Sequence, residues 1–166
     1  MISINNYCSS EPYKVFIKHY KNALKNNQKI IEAISISSFD KKLNEVDCRF
    51  VNLKYINKDE WIFFSNYNSP KASQFKTHKQ ITAVFFWESI NVQIRMKALI
   101  KKTNQEFSDA HFANRELTKN ALAISSQQSV PVTSYKKVKE NYESTLAKDT
   151  LITKRPDYWG GFSFTP

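Results

Sequence analysis

Residues Ile81–Lys101 read ITAVFFWESINVQIRMKALIK, and the fold class turns on this stretch. Its first part, Ile81 to Trp87, is almost continuously apolar, the pattern of a strand central in its sheet. From Val92 to Lys101 the pattern changes to alternation, with Val92, Ile94, Met96, Ala98 and Ile100 set against Gln93, Arg95, Lys97 and Lys101. A period of two places those sets on opposite faces of a second strand. The link between them is too short for a crossover helix, so the two strands form an antiparallel hairpin.

The same signals extend outward. Ile30 to Ser37 is rich in β-branched residues and predicts a strand, Phe39 to Glu45 a polar turn, and Val46 to Tyr55 a second strand. Asn57-Lys58-Asp59 then connects tightly into a strand over Trp61 to Ser65, and a last strand begins near Tyr158. Between Glu11 and Asn26, Val15, Phe16, Tyr20, Ala23 and Leu24 recur at helical spacing, with Ser10 as a cap and Pro12 in the first turn. Ser69-Pro70 opens a short helix to about His78. Thr103 and Glu106 have capping-box spacing for a helix reaching Arg115, followed by helical pieces over Leu117–Ser126 and Tyr135–Leu146. Consecutive hairpins with helices at their ends predict a mainly β fold, an antiparallel barrel with peripheral helices, and argue against a doubly wound sheet.

With 166 residues, 41% hydrophobic and 14% aromatic, the chain is expected to form a single domain over 1–166. Its only glycines, Gly160 and Gly161, are adjacent, so neither a G-x-G-x-x-G turn nor a P-loop can exist. Any phosphate must be held by side-chain cations, and Lys plus Arg number 25 against 15 acids, a formal charge of +10. Such an excess suits a nucleic-acid surface, an anionic membrane surface or a pocket for a phosphorylated small molecule. The lysines are dispersed in short pairs such as Lys41-Lys42 and Lys101-Lys102, without the long basic block of a nucleic-acid tail, and no nucleic-acid partner is expected. No apolar run approaches the roughly 20 residues of a membrane span, and the N-terminus carries no signal pattern. A cytoplasmic protein without a membrane partner is the expectation. Cys8 and Cys48 are read as reduced thiols, and with His19, His78 and His111 scattered, no metal site is expected.

Two clusters stand out chemically. RFVNLK, Arg49 to Lys54, brackets an apolar stretch with cations; it reads either as a strand with solvated ends or as part of an anion site. Strict alternation sets Arg49 and Lys54 on opposite faces, so a common ligand requires a twist, a bulge or a site shared between faces. His111, Arg115 and Lys119 are spaced four apart, which stacks them on one helical face as a solvated stripe or a phosphate site.

The terminal run RPDYWGGFSFTP, Arg155 to Pro166, resembles the entry to the C-terminal region of the pyridoxine (pyridoxamine) 5′-phosphate oxidase family, flavoproteins with a split β-barrel. RFVNLK, FFSNYNSPK (Phe63 to Lys71), WESINVQIRMKA (Trp87 to Ala98) and SSQQS (Ser125 to Ser129) resemble further family blocks, in family order. The resemblance implies a cofactor, flavin mononucleotide (FMN), contacted by Arg49, Phe50, Lys54, Phe64, Ser65, Lys71, Gln93, Gln128 and Ser129. It implies that Lys54, His111, Arg115 and Lys119 hold a substrate phosphate. Pro70 stands where the family has the first of two basic residues, and His111 and Lys119 replace Tyr and Ser. The family continues past the Trp-Gly-Gly segment into strands that supply a flavin-contacting Trp and Arg and an Arg-x-His for the substrate ring. The implied reaction moves a hydride from a phosphorylated pyridoxine-type molecule to flavin, yields pyridoxal 5′-phosphate, and passes electrons to oxygen in a homodimer. No side chain is implied as a nucleophile. The alternative is a flavin-binding relative that is non-catalytic or differently specific.

Overall fold

The structure, a computed structural model, describes residues 1–126, 130–147 and 152–166. Its elements in chain order are β1 (Ser3–Asn5), α1 (Glu11–Lys25), β2 (Ala33–Asp40), β3 (Glu45–Asn57), β4 (Glu60–Asn66), α2 (Pro70–Thr77), β5 (Gln80–Trp87), β6 (Val92–Lys102), α3 (Gln105–Ala113), α4 (Leu117–Ser125), α5 (Tyr135–Leu146) and β7 (Trp159–Thr165). The chain divides into two compact units. The first comprises Met1–Phe64, Gln74–Lys101 and Phe162–Pro166, the second Ser65–Ser73 and Lys102–Gly161.

The first unit carries the sheet. Strand order β3-β2-β5-β6-β7-β4, with β4 pairing back to β3, closes an antiparallel barrel of six strands, as the hairpin pattern predicts. The Ile81–Lys101 hairpin forms with Trp87 opposite Val92 and Gln80 opposite Leu99. Directly paired residues share a face, so Ile81, Ala83, Phe85 and Trp87 point inward while Thr82, Val84 and Phe86 point outward. The expected turn at Phe39–Glu45 is shorter than its composition suggests. Phe39, Asp40 and Glu45 remain in the ladder, and the Asp40 carboxylate accepts from the amides of Lys42 and Leu43 to close the reversal. Strand β1, which has no clear sequence signal, lies parallel to the end of β3, where β2 has already left that edge.

Scarcity of glycine is met mostly by asparagine, with Ile30 and Lys58 also left-handed at φ 49° and 55°. Asn6, Asn27, Asn44 and Asn91 all take left-handed φ values between 48° and 56°. Asparagine tolerates this region because its short side chain bonds locally.

An aromatic core fills the first unit. Helix α1 buries Phe16, Ile17, Tyr20 and Ala23; of the predicted stripe Phe16, Tyr20 and Ala23 are buried, whereas Val15 is exposed and Ile17 faces the core in its place. The Phe16 ring lies 4.5 Å from Trp61, 5.5 Å from Trp87 and 5.8 Å from Phe85, and Trp87 Nε1 donates to the Ile31 carbonyl. Ser10 occupies the cap position, but no hydroxyl cap bond forms: its Oγ accepts from Cys8 Sγ instead.

In the second unit Asn104, rather than Thr103, caps α3 by accepting from the Phe107 amide at 2.8 Å. Thr103 Oγ1 is engaged with Ser108 Oγ and the Gly161 carbonyl. Among the described residues, no helix is long and apolar enough to cross a membrane.

Because Phe16 touches four other aromatic rings while 4% exposed, Phe16→Ala is expected to cost about 3–5 kcal/mol. Urea unfolding should show a lowered midpoint with little change in slope.

Candidate functional site

In the first unit the chemistry gathers on β3. The pairing of Leu53 with Phe63 and of Tyr55 with Ile62 leaves one extra residue, Lys54, between them. This is the bulge that a common orientation of Arg49 and Lys54 requires. Its consequence is that Leu53 and Ile56, three residues apart, are both fully buried.

Arg49 lies opposite Ile36 on the inward face. Its Nη1 donates to Ser38 Oγ at 2.6 Å and to the Ile36 carbonyl at 3.2 Å, and its Nη2 to Gln74 Oε1 at 2.9 Å and to Asp47 Oδ2 at 2.5 Å. Burial pushes the Asp47 carboxyl up, but the hydrogen bond and charge of Arg49, with help from the Cys48 amide and Gln74, outweigh it and hold the carboxyl below its ordinary value. Lys54 turns elsewhere, to Glu32 at 3.8 Å. The bulge therefore frees the orientation without bringing the two cations onto one group. Phe64 stands edge-on to Tyr55 at 6.2 Å.

Phe50 and Gln93 open on the outward face instead. Phe50 pairs across Ser35, Val84 and Arg95, and Gln93 pairs with Phe86. Phe50 is 76% exposed and Phe86 60%. Cys48 shares this face, and hydrogen bonds from Ser35 and Ser37 lower its thiol pKa. Both cysteines are free.

The second unit holds two further clusters. Lys71 Nζ donates to Ser65 Oγ at 3.0 Å and to Ser69 Oγ at 3.2 Å, around the start of α2. Ser65 and Ser69 are buried. An ammonium, two hydroxyls and a helix N-terminus form a donor set that suits a phosphate without any glycine.

The other cluster corrects the expected stripe. The Arg115 amide bonds back three residues to Phe112, tightening and ending α3, and Glu116 starts α4 by accepting from Asn120. His111, Arg115 and Lys119 thus lie on a helix, a link and a second helix. The His111 ring stacks on Trp159 at 6.1 Å and 9°, and the Arg115 guanidinium lies 4.9 Å from the same indole. Arg115 Nη1 also donates to the Lys119 carbonyl at 2.9 Å. Burial lowers its pKa, with Glu116 opposing. Lys119 is turned to Glu116 at 2.8 Å. Trp159 escaped the sequence reading as a site residue; its only signal was the Trp-Gly-Gly run itself. Gln128 and Ser129 lie outside the described residues.

The donor sets at Arg49 and at Lys71 both fit an anionic cofactor by their chemistry. Among the described residues, no three His, Cys, Asp or Glu side chains gather as a metal site would require. No protein-family model matches the chain. Pyridoxine/pyridoxamine 5′-phosphate oxidase of Haemophilus influenzae (strain 86-028NP) is 31% identical over 159 residues, which cover 96% of this chain and 75% of that protein. The chain belongs to the pyridoxine/pyridoxamine 5′-phosphate oxidase family. A relative of the same kind from Hydrogenovibrio crunogenus is 28% identical over 95% of this chain and 72% of its own length. Two solved structures share the fold. PhzG from Burkholderia lata 383, in complex with tetrahydrophenazine-1-carboxylic acid, gives a TM-score of 0.88 at 16% identity over 95% of this chain and 77% of its own. A pyridoxamine 5′-phosphate oxidase-related, FMN-binding protein from Nostoc punctiforme PCC 73102 gives 0.72 at 11% identity over 95% and 82%. They place this member of the family among the split barrels.

Residues 155–161 of the terminal run are anchored within the second unit. The Arg155 side chain, 6% exposed, donates to Asp109 and to the Trp159 carbonyl, each at 2.6 Å. A Cβ on Gly160 would overlap the hydroxyl of Tyr67. Arg155→Ala is expected to cost about 2 kcal/mol through the unpaired carbonyl, and Gly160→Ala about 1–3 kcal/mol through overpacking. Thermal melts of both should fall, and Trp159 emission should shift in Arg155→Ala as its ring loses support.

Proposed function

We propose that this family member binds FMN and oxidises pyridoxamine or pyridoxine 5′-phosphate to pyridoxal 5′-phosphate, with oxygen as electron acceptor. The observation that carries the reading is the Lys71 cluster with Ser65 and Ser69, a phosphate donor set built in a chain that has no glycine cradle. Bound flavin would supply the hydride-accepting chemistry. The chain supplies binding and orientation. Arg49, Ser65 and Lys71 are assigned to the cofactor phosphate. Phe50, Phe64, Gln93, Gln128 and Ser129 are assigned to the rest of the flavin, with Lys54 bridging to substrate. Arg115 is assigned to the substrate phosphate, where a half-buried guanidinium attracts an anion more strongly than a solvated one. His111 shares the indole that fixes Arg115.

One observation supports a different substrate in the same site. His111 and Lys119 stand where the family resemblance has Tyr and Ser, so the groups around Arg115 differ from those that the resemblance implies for a pyridoxine-type phosphate. A panel of phosphorylated and unphosphorylated amines and alcohols, scored by peroxide release, separates the two. Arg115→Ala should raise KM for pyridoxamine 5′-phosphate more than tenfold, and equal turnover of the unphosphorylated amine would overturn the assignment.

Fluorescence titration tests the cofactor. Wild type should quench FMN saturably, and Arg49→Ala and Lys71→Ala should each weaken binding by roughly ten- to a hundredfold, the range of one charge-assisted contact. Riboflavin, lacking the phosphate, should respond little to either change.

The active form in this reading is a homodimer. Val46, Phe50, Phe86 and Leu99 leave exposed apolar area on the outward sheet face, which association would cover. Arg49 and Gln93 open on opposite faces of the sheet, so a flavin that meets both takes one of them from a second copy. Light scattering at micromolar concentration should give twice 19.4 kDa, and Phe50→Asp should shift the mass toward one chain. A wild-type monomer that still binds FMN would overturn the shared site.

A further inference from the structure

We propose that Asp47 is a built-in competitor for the cofactor phosphate at Arg49, and that its displacement sets how tightly and how selectively this chain takes a phosphorylated flavin. The inference rests on the FMN reading and adds to it a residue that discriminates between phosphorylated and unphosphorylated ligands. Asp47 and Arg49 lie two residues apart on β3 and so share its inward face, opposite Ser38 and Ile36. The guanidinium accordingly has an anion already in place, at 2.5 Å from Nη2.

The four acceptors around Arg49 are unequal. Ser38 and Gln74 are buried at 3% and 4% exposure and bonded to each other, and the Ile36 carbonyl belongs to the sheet. None of these can leave without stranding a buried polar group. Asp47 is the charged member, and its side chain is 53% exposed against 16% for Arg49. It can swing into water, because its carboxylate is already half solvated and Arg49 keeps three neutral acceptors when it leaves. The arrangement is therefore a fixed neutral cradle with one exchangeable anion. A phosphate brings more charge and more acceptor oxygens to Nη2 than a carboxylate does, so it can displace Asp47. The displaced carboxylate still stands beside the dianion and opposes it. Riboflavin presents no competing anion and leaves the Asp47–Arg49 pair intact.

FMN and riboflavin titrations of wild type, Asp47→Asn and Asp47→Ser, followed by flavin fluorescence, test this. Both variants remove the charge; Ser additionally removes the amide-sized side chain, so agreement between them excludes a packing effect. The expected result is FMN binding tightened by about tenfold in both, with riboflavin unchanged, so that the FMN-to-riboflavin preference rises by the same factor. Wild-type FMN affinity in the variants, weaker binding, or equal tightening toward riboflavin would overturn the competitor role while leaving FMN binding in place. Failure of all three proteins to quench FMN would overturn the cofactor reading and the inference together.

Discussion

The extra residue at Lys54 is the constraint on which the barrel depends. Strand β3 pairs with β2 through Asn52 and with β4 from Leu53 onward. In a strand of fixed parity, Leu53 and Ile56 would face opposite sides. The bulge absorbs one residue, so both enter the core, and the strand bends as it passes from one neighbour to the other. Closure of β4 against β3 follows from that bend. The same shift decides which way the cations point: Arg49, before the bulge, is held inward by Ser38 and Gln74, whereas Lys54, at the bulge, reaches Glu32.

A chain without phosphate-cradling glycines has to reverse direction, and to hold any anion, by other means, and this one separates the two tasks. Left-handed backbone falls mostly to asparagine, as at Asn27, Asn44 and Asn91, and to Lys58 between β3 and β4. Charge falls to side chains that are organised before any ligand arrives. Lys71 is already aimed by two buried hydroxyls, and Arg49 by two buried acceptors and a carbonyl. Such organisation lowers the entropy lost on binding, because the long side chains are fixed in advance. It also means that each cation carries a partner that a ligand must replace or join.

The barrel was legible because its strands carry two clean signals, the apolar run at Ile81–Trp87 and the alternation after Val92. Helix α1 was legible for the same reason at a period of 3.6. Strand β1 was not, since three residues on an edge have no period to read. The Thr103 cap failed because Asn104, one position on, offers an equally good acceptor while Thr103 has a tertiary partner in Gly161. The bulge was legible only as a requirement: RFVNLK shows that two cations have the wrong parity, but not which residue would be inserted. Family membership carried the choice of Arg49, Ser65 and Lys71, for none of them is distinctive by itself.

The basic stripe shows where helical arithmetic misleads. Spacing of four residues stacks side chains only while one helix continues, and here a three-residue return bond at Phe112 ends the first helix before Arg115. Breaking the helix changes the chemistry of the group. On an unbroken face, Arg115 and Lys119 would repel one another in water and present a diffuse charge. In the folded chain His111 and Arg115 share the Trp159 indole, whose ring face attracts a cation and orients it. Lys119 turns instead to its neighbour Glu116, at 2.8 Å. The result is one oriented, partly desolvated guanidinium in place of a mobile stripe, and that directional donor suits a single phosphate better than a stripe would. Its orientation depends on Trp159, which Arg155 holds through the backbone carbonyl, so the terminal Arg-Pro and Trp-Gly-Gly segment contributes to the site by supporting the aromatic surface on which Arg115 rests.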